Sequence, residues 1–270
     1  MKLNEINIRD PFVLLHNGRY YMYGSRVGEQ TGFDVYISDD LENWSVPKSV
    51  FERSENFWGT EDFWAPEVWP YEGKFYMLAS FNSENKHRGT AILVSDSPDG
   101  LFEVHNPRIT PEQWDCLDGT LWFENKTPYA VFCHEWTQVK NGEIWAVELS
   151  ADLKSTVAMP FLLWRAGDAE WVCSVRGDSN YVTDGPFLFK TEEGKLKCLW
   201  SSFSRGKYVL ASATSQNGRI NGRWHIDKDL LYEGDGGHGM MFKTADGRGM
   251  LSLHSPNIGF EEHPKFIEMK

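Results

Sequence analysis

The 270-residue sequence predicts an all-β protein, and three observations support this prediction. One apolar, turn-bounded pattern occurs five times, each copy is typical of a β-hairpin followed by further short strands, and no useful length of chain has helical periodicity. Aromatic residues also make up 14% of the chain, and large flat side chains suit both sheet surfaces and the apolar faces of sugar rings.

The five copies have starts separated by 55, 53, 66 and 54 residues. In the first copy, an apolar run at 10–15 is followed by a turn at 16–18 that contains Gly18, and then by a second run at 19–25. The other copies have the same plan, with turns of three to five residues, as expected for β-hairpins. Their first positions are Asp10, Ala65, Asp118, Asp184 and His238.

Further strands are expected after the first four hairpins. Third strands are predicted at residues 34–38, 91–95, 144–150 and 208–213, and fourth strands are predicted around Trp44, Phe102, Val157 and Trp224. Four antiparallel strands per repeat of about 54 residues are typical of a propeller blade. We therefore predict one domain, residues 1–270, that forms a five-bladed β-propeller with four antiparallel strands per blade. A strand from residues 1–9 or 264–269 should complete the last blade.

Composition excludes several classes of function. The chain has 27 Lys and Arg against 39 Asp and Glu, a net charge of −12, which disfavours binding to nucleic acid. Its apolar runs are far shorter than the roughly 20 residues that span a bilayer, so no membrane partner is expected. No signal peptide precedes the first repeat, which predicts a cytoplasmic chain, or a secreted or periplasmic one if a leader has been removed. The four cysteines have no CxxC spacing and are predicted to be buried thiols.

The first strand of each propeller blade lines the central channel, so the five first positions should form a ring. Asp10, Asp118, Asp184 and His238 would then lie close together and shift one another's pKa values, which indicates a site. Each Asp-Pro or Asp-Gly pair alone could instead be an ordinary turn. Hydrolysis of a glycosidic bond needs two carboxyl groups across a cavity, and the width of a propeller channel favours the inverting separation of about 6.5–9.5 Å.

The second strands return to the same end of the channel, so their last residues should surround the pocket. Together with Trp64, which directly precedes the second repeat, they offer aromatic platforms and polar groups for a sugar. Trp64 and Trp136 could alternatively pack between blades. The predicted substrate-binding residues are Arg26, Trp64, Phe81, Asn82, His134, Glu135, Trp136, Phe203 and His254.

At these residues the chain resembles the family 43 glycoside hydrolases, which are five-bladed propellers that act on arabinans, xylans and related furanosides. The resemblance rests on five segments: Arg9-Asp10-Pro11-Phe12, Phe63-Trp64-Ala65-Pro66-Glu67-Val68, Leu117-Asp118-Gly119-Thr120, Val182-Thr183-Asp184-Gly185-Pro186-Phe187 and Gly236-Gly237-His238-Gly239. It implies that Asp10 is the general base, that Asp118 orients the acid and tunes its pKa, and that Asp184 holds the position of the general acid. That position is usually Glu, so the carboxyl group here is one methylene shorter. Aspartate can still serve if burial and the charge of Asp118 raise its pKa.

His238 matches the position that, in the resembled family, often approaches a calcium or other ion on the propeller axis. Because Ca²⁺ prefers oxygen ligands, a single imidazole would need several waters beside it. The alternative is a neutral His238 that is hydrogen-bonded to a carboxylate of the ring. No organic cofactor is expected.

These observations predict an inverting, exo-acting glycoside hydrolase, an α-L-arabinofuranosidase or β-xylosidase, that acts on arabinofuranosyl, xylosyl or galactofuranosyl oligosaccharides. The alternative is a sugar-binding propeller with an impaired or absent activity. A retaining fructan-type enzyme is disfavoured because the chain lacks the Asn-Asp-Pro-Asn-Gly and Glu-Cys motifs of that group. The surplus of about a dozen residues before the fourth repeat lies at 163–182 and is expected to shape the pocket around Asp184.

Overall fold

The computed structural model describes residues 1–28, 31–177 and 179–269, which form five antiparallel sheets. Blade 1 contains β1 (Ile8–His16), β2 (Arg19–Arg26), β3 (Phe33–Ser38) and β4 (Lys48–Phe51). Blade 2 contains β5 (Glu61–Tyr71), β6 (Lys74–Ser83), β7 (Lys86–Ser95) and β8 (Glu103–Asn106). Blade 3 contains β9 (Cys116–Glu124), β10 (Thr127–His134), β11 (Glu143–Glu148) and β12 (Phe161–Arg165). Blade 4 contains β13 (Asp184–Lys190), β14 (Leu196–Ser204), β15 (Lys207–Ser215) and β16 (Trp224–Ile226).

The fifth blade contains β17 (Gly237–Lys243), β18 (Gly249–Ser255) and β19 (His263–Glu268). The C-terminal segment thus supplies a strand, as one of the two sequence alternatives proposes, and within the described ranges this sheet has three strands rather than four. The N-terminal segment contributes a 3-10 helix, Leu3–Glu5, that packs against β19. His263 Nδ1 lies 2.8 Å from the Ile6 carbonyl oxygen, which joins the two ends of the chain.

The first strands of the five blades pack against one another in a closed ring. Strand β1 packs against β5 and β17, and β9 and β13 complete the ring of neighbours, which confirms the predicted five-bladed propeller. The other helical segments are one α-helical turn, Trp136–Val139, and a 3-10 helix, Ala166–Asp168. No helix in the described ranges is long and apolar enough to cross a membrane.

The predicted third strands match β3, β7, β11 and β15, whereas two fourth strands begin later than predicted. Strand β4 begins at Lys48 rather than near Trp44, and β12 begins at Phe161 rather than near Val157. Trp44 is buried and its indole nitrogen donates to the Leu41 carbonyl, so this side chain anchors the turn before the strand. Cys116, Cys133 and Cys198 are buried free thiols, as predicted, and Cys173 is half-buried.

Each blade pairs its first two strands in the same register and then shifts at a β-bulge. In each blade, the last residue before the shift pairs with a residue in the second half of the second strand. The pairs are Arg9 with Ser25, Trp64 with Ser80, Leu117 with Cys133, Asp184 with Ser201, and Gly237 with His254. The next residue in each blade has a positive φ of 50–56°: Asp10, Ala65, Asp118, Gly185 and His238.

This register corrects one sequence prediction. The residue in blade 4 that matches Asp10 and Asp118 is Gly185, so Asp184 lies one residue before the ring instead of within it. Left-handed backbone is strained for residues other than glycine, and such strain is commonly retained at functional sites. The bulge explains the error, because a one-residue slip moves a side chain to a different face.

Candidate active site

The ring of left-handed residues is tied together by hydrogen bonds between neighbouring blades. In four of the five junctions, the ring residue donates its main-chain N–H to a side chain in the second half of the second strand of the preceding blade. The pairs are Ala65 to Ser25 Oγ at 2.7 Å, Asp118 to Ser80 Oγ at 2.7 Å, His238 to Ser201 Oγ at 2.8 Å, and Asp10 to His254 Nδ1 at 3.2 Å.

The junction between blades 3 and 4 differs, because the matching position holds Cys133 instead of a serine. The N–H of Gly185 is donated to Asp118 Oδ2 at 3.0 Å. Asp118 therefore uses its main-chain N–H to bind blade 2 and its carboxylate to bind blade 4. This carboxylate has a fixed orientation beside the residue that follows Asp184.

A cavity of about 420 Å³ opens at this end of the propeller axis. Eight of the thirteen predicted site residues line it: Asp10, Asp118, Asp184, Arg26, Trp64, Glu135, Trp136 and His238. The three carboxyl groups that the sequence brings forward thus meet at one cavity, although two of them come from the ring and one from the wall.

The Asp10 carboxylate lies close to one serine and two histidines, of which His254 accepts the Asp10 main-chain N–H at its Nδ1. Ser25 Oγ donates to Asp10 Oδ2 at 2.6 Å, while His238 Nδ1 lies 3.1 Å and His254 Nδ1 3.4 Å from Asp10 Oδ1. Burial alone would raise the pKa of Asp10, but the charge and hydrogen bond of His238, the charge of Arg9 and that of His254 outweigh burial and hold the pKa below its usual range. Asp10 is consequently ionised at neutral pH.

Asp118 and Asp184 have the opposite behaviour. Burial raises the pKa of Asp118 to about 6 in spite of the nearby charge of His238. Burial, followed by the charge of Asp118, raises the pKa of Asp184 to about 7. Tyr208 Oη donates to Asp184 Oδ2 at 3.1 Å and partly opposes this shift. Asp10 is therefore ionised at neutral pH, whereas Asp184, in the same cavity, keeps its proton close to neutrality.

His238 is placed as an ion-pair partner. Its Nδ1 lies between Asp10 Oδ1 and Asp118 Oδ2, at 3.1 and 3.6 Å. Burial would lower its pKa, but the two carboxylates raise it to about 10, so the imidazole is cationic. No group of three or more His, Cys, Asp or Glu side chains in the described ranges is arranged to hold a metal ion. The two carboxylates lie against Nδ1 of His238, and calcium near this residue stays a prediction.

Ion pairs fix the outer wall of the cavity. Arg26 binds both carboxylate oxygens of Asp34, at 2.8 and 2.6 Å. The Arg88 guanidinium lies 4.4 Å from the ring centroid of Trp64 and forms ion pairs with Asp62 and Glu135. Such a fixed indole face flanked by a carboxylate suits a sugar ring.

Comparisons with known proteins decide the family. The sequence model of Glycosyl hydrolases family 43 matches residues 4–265. The chain belongs to this family. A crystal structure of an endo-arabinase from Bacteroides thetaiotaomicron VPI-5482 is 39% identical, with a TM-score of 0.94 over 100% of this chain and 96% of that one. A thermostable family-43 glycoside hydrolase is 26% identical, with a TM-score of 0.84 over 97% and 89% of the two chains.

Curated relatives match more distantly. An extracellular endo-α-(1→5)-L-arabinanase from Bacillus subtilis (strain 168) is 27% identical over 51% of this chain and 46% of its own length. A β-D-galactofuranosidase from Aspergillus niger (strain ATCC MYA-4892 / CBS 513.88 / FGSC A1513) is 24% identical over 96% of this chain and 64% of its own length. The chain thus spans less than two thirds of these curated relatives.

Five predicted sugar contacts of this family 43 member lie outside the cavity wall, and three of these side chains are buried behind it. Phe81 is fully buried among aromatic rings, 4.7 Å from Phe57 and 5.0 Å from Phe63. His134 stacks on Trp114 at 4.4 Å and is hydrogen-bonded within blade 3. His254 is fully buried and supports Asp10 from below. These three side chains therefore do not line the cavity, and their contact with substrate stays a prediction.

The remaining two are half-buried and also lie off the wall. Asn82 donates to Asp62 Oδ2 at 3.0 Å, which fixes the carboxylate that binds Arg88. Phe203 packs on Tyr208 with ring centroids 5.3 Å apart. Both therefore contact cavity residues without lining the cavity, and their contact with substrate stays a prediction.

Several residues that line the cavity are not among those that the sequence predicts for the site. Arg9 and Glu262 line the cavity and form an ion pair at 2.9 Å, and Phe260 and Tyr208 also line it. Arg9 lies in a segment that carries the family resemblance, so that signal was available. The other three have no local pattern that marks them: Tyr208 lies at the start of the third strand of blade 4, and Phe260 and Glu262 lie in the loop before β19.

Buried Glu67 was also missed as a candidate. Burial raises its pKa to about 8, and the Trp69 indole nitrogen donates to its Oε2 at 3.1 Å. Glu67 lies in the Ala65-Pro66-Glu67 part of a resemblance segment, and the raised pKa makes it a neutral group below the ring at neutral pH.

The surplus of residues before β13 does not shape the cavity as expected. No described residue of 163–182 lines it. The insertion reaches the site through Arg176, whose guanidinium lies 5.7 Å from the ring centroid of Trp136. Glu170, Trp171 and Cys173 of the insertion line a second cavity beside blade 4.

Proposed function

We propose that this chain hydrolyses arabinofuranosyl linkages with inversion, with Asp10 as general base, Asp184 as general acid and Asp118 as the group that holds the acid's pKa high. The observation that carries the proposal is the opposite pKa of two carboxyl groups in one cavity: Asp10 below its usual range and Asp184 at about 7. An inverting glycosidase needs this division between an ionised base and a protonated acid.

In the proposed reaction, Asp10 takes a proton from a water molecule whose oxygen attacks the anomeric carbon. The bond from that carbon to the leaving oxygen breaks, the electron pair goes to the leaving oxygen, and Asp184 supplies the proton that this oxygen takes. The cationic His238 keeps Asp10 ionised before the step. Proton transfers by positioned side chains typically contribute about 10²- to 10⁴-fold in rate.

The substrate proposal rests on the relatives' printed names. The similar structure of highest identity given above is called an endo-arabinase, and two extracellular endo-arabinanases of Bacillus subtilis (strain 168) match the chain. These names favour arabinan chains, and internal cleavage over the exo action that the sequence predicts. They also favour an extracellular place of action over the cytoplasmic one.

The test uses linear arabinan, arabino-oligosaccharides and xylo-oligosaccharides with the parent chain, Asp10→Asn and Asp184→Asn. We expect soluble arabino-oligosaccharides from the parent and a loss of about 10³-fold in kcat for each variant. The first product observed by proton NMR should have the inverted anomeric configuration. Asp39→Asn is the matched control, because Asp39 is an exposed carboxylate paired with Arg19 on the surface.

Each part of the proposal has its own negative result. Variants as fast as the parent would exclude the assigned roles. Retention at the anomeric carbon would exclude the inverting step. Single arabinose units as the first product would show exo action, as the sequence predicts, instead of internal cleavage. Sugar binding in calorimetry without product from any substrate would establish the alternative, a sugar-binding propeller.

A further inference from the structure

We infer that Tyr208 is a positioning residue of the acid step: its hydroxyl donates to Oδ2 of Asp184 and thereby leaves Oδ1 to carry the proton that the leaving oxygen receives. This inference rests on the proposed function, because it assigns to Asp184 the role of general acid. The interaction is a hydrogen bond of 3.1 Å between two cavity-lining residues.

Asp184 depends on this single contact. No other side chain in the described part of the chain donates a hydrogen bond to its carboxyl group, whereas Asp10 is contacted by Ser25, His238 and His254. The phenol is therefore the group that can distinguish the two oxygens of Asp184. Without it, nothing in the described protein would favour one oxygen as the carrier of the proton.

The phenol ring is held firmly. Tyr208 is 1% exposed, its ring stacks on His254 with centroids 5.6 Å apart at 17°, and its main-chain N–H donates to Asp235 Oδ1 at 3.1 Å. Phe203 closes another side of the ring. A ring fixed in this way presents its hydroxyl in one place, which a positioning role requires.

The lack of a side chain at Gly237 in blade 5 leaves space for the Tyr208 ring. At the position before the bulge, Gly237 stands where the other blades have Arg9, Trp64, Leu117 and Asp184. A Cβ at Gly237 would lie 2.6 Å from Tyr208 Cε1, closer than carbon atoms approach, and 2.6 Å from Ser201 Oγ. A larger residue in blade 5 would therefore displace the phenol from Asp184.

The hydrogen bond from Tyr208 to Asp184 becomes stronger as the proton is transferred. A neutral carboxyl group has one protonated oxygen, and a donor on Oδ2 favours the form with the proton on Oδ1. When the Oδ1–H bond breaks and the leaving oxygen takes the proton, Asp184 becomes a carboxylate. The same hydrogen bond then becomes charge-assisted and roughly twice as strong. Tyr208 keeps its own proton throughout, because burial and the nearby carboxylates raise its pKa well above the usual value. An interaction that strengthens as charge develops accelerates the step.

The test replaces Tyr208 by phenylalanine, which keeps the ring and its packing and removes only the hydroxyl. We expect kcat on arabino-oligosaccharides to fall about 10- to 100-fold while KM changes less than about twofold. A 2,4-dinitrophenyl arabinofuranoside, whose leaving group needs no protonation, should lose less than about threefold. Tyr23→Phe is the matched control, since Tyr23 is fully buried and donates to the Pro98 carbonyl at 2.6 Å outside the cavity.

The pH profile gives a second measurement. The ionised form of Asp184 loses a donor in Tyr208→Phe, so its pKa should rise and the alkaline limb of kcat should move to higher pH. The other charged groups that face Asp184, which are Asp118 of β9, His238 of β17 and Arg9 of β1, are unchanged in this variant. A carboxyl-carbon NMR titration of the Asp184 side chain measures the same shift without turnover.

Equal losses on the two substrates, or a pH profile and NMR titration that match Tyr23→Phe, would overturn the inference. Such a result would make Tyr208 a packing residue only. Failure of the proposed function is seen separately: Asp184→Asn would then cleave arabino-oligosaccharides as fast as the parent, whatever Tyr208→Phe does. Thermal melting of both tyrosine variants confirms that each is folded before the kinetics are compared.

Discussion

Asp10 and Asp184 face the same cavity from opposite parts of the propeller, and their surroundings give them opposite chemistry. Asp10 lies on the ring of left-handed residues, where Ser25 donates to its carboxylate and the cationic His238 lies 3.1 Å from it. Asp184 lies one residue before the ring, with one phenol as donor and the negative Asp118 nearby. The comparison shows that the neighbours, and not the residue type, set the two pKa values on which the proposed roles of base and acid rest.

Among changes to the neighbours of the two aspartates, we expect the largest effect from removing the cation beside Asp10. In His238→Gln, Asp10 loses the cation that holds its pKa down, so its pKa should rise and the acid limb of kcat should move to higher pH. We expect a fall of about 10²-fold or more in kcat at pH 6, measured on arabino-oligosaccharides. His87→Gln is the control, because His87 pairs with Asp115 outside the cavity. An acid limb that stays in place would show that His238 does not set the charge of Asp10.

The pH dependence of the parent chain tests the two sides together. Asp184 acts while protonated and has a pKa of about 7, so kcat should fall above pH 7, approaching about tenfold per pH unit. Asp10 acts while ionised and has a pKa below its usual range, so no loss is expected between pH 7 and 5. The measurement is kcat at saturating substrate from pH 4 to 9. A maximum above pH 8 would contradict the assignment of Asp184 as acid.

We expect the smallest effect from a change at the junction between blades 3 and 4, where Asp118 accepts the N–H of Gly185. In Cys133→Ser, a hydroxyl takes the position that accepts the ring N–H in three other blades and competes with Asp118 for the N–H of Gly185. Losing that donor raises the pKa of Asp118 and reduces its negative charge, which lowers the pKa of Asp184. The alkaline limb should then move to lower pH, with a change of about two- to fivefold in kcat at pH 7.

Cys133→Ala is the matched control for this last prediction, because it removes the thiol without offering an acceptor. Its pH profile should match that of the parent. Identical profiles for the serine and alanine variants would show that the Cys133 position does not act through Asp118. Cys198→Ser gives a second control, at a buried thiol outside the cavity.

The sequence predicts the repeats, the number of blades and the meeting of Asp10, Asp118 and Asp184, because strand and turn patterns are local and recur at a regular spacing. It places Asp184 on the ring itself, since Asp-Gly in blade 4 looks like Asp-Gly in blade 3. The bulge that gives the left-handed position to Gly185 is not visible in the order of residues alone. The burial of Phe81 and His134 behind the cavity wall is likewise not visible in the order of residues.

The sequence by itself thus determined a five-bladed propeller with three aspartates directed at one end of its axis. Only the tertiary structure decided their partners: His238 between Asp10 and Asp118, and Tyr208 on Asp184. Asp10 and His238 are 228 residues apart in the chain, and they meet because blade 5 closes against blade 1. The pKa of each carboxyl group depends on such distant charges and on burial, and both exist only after the circle of blades has closed.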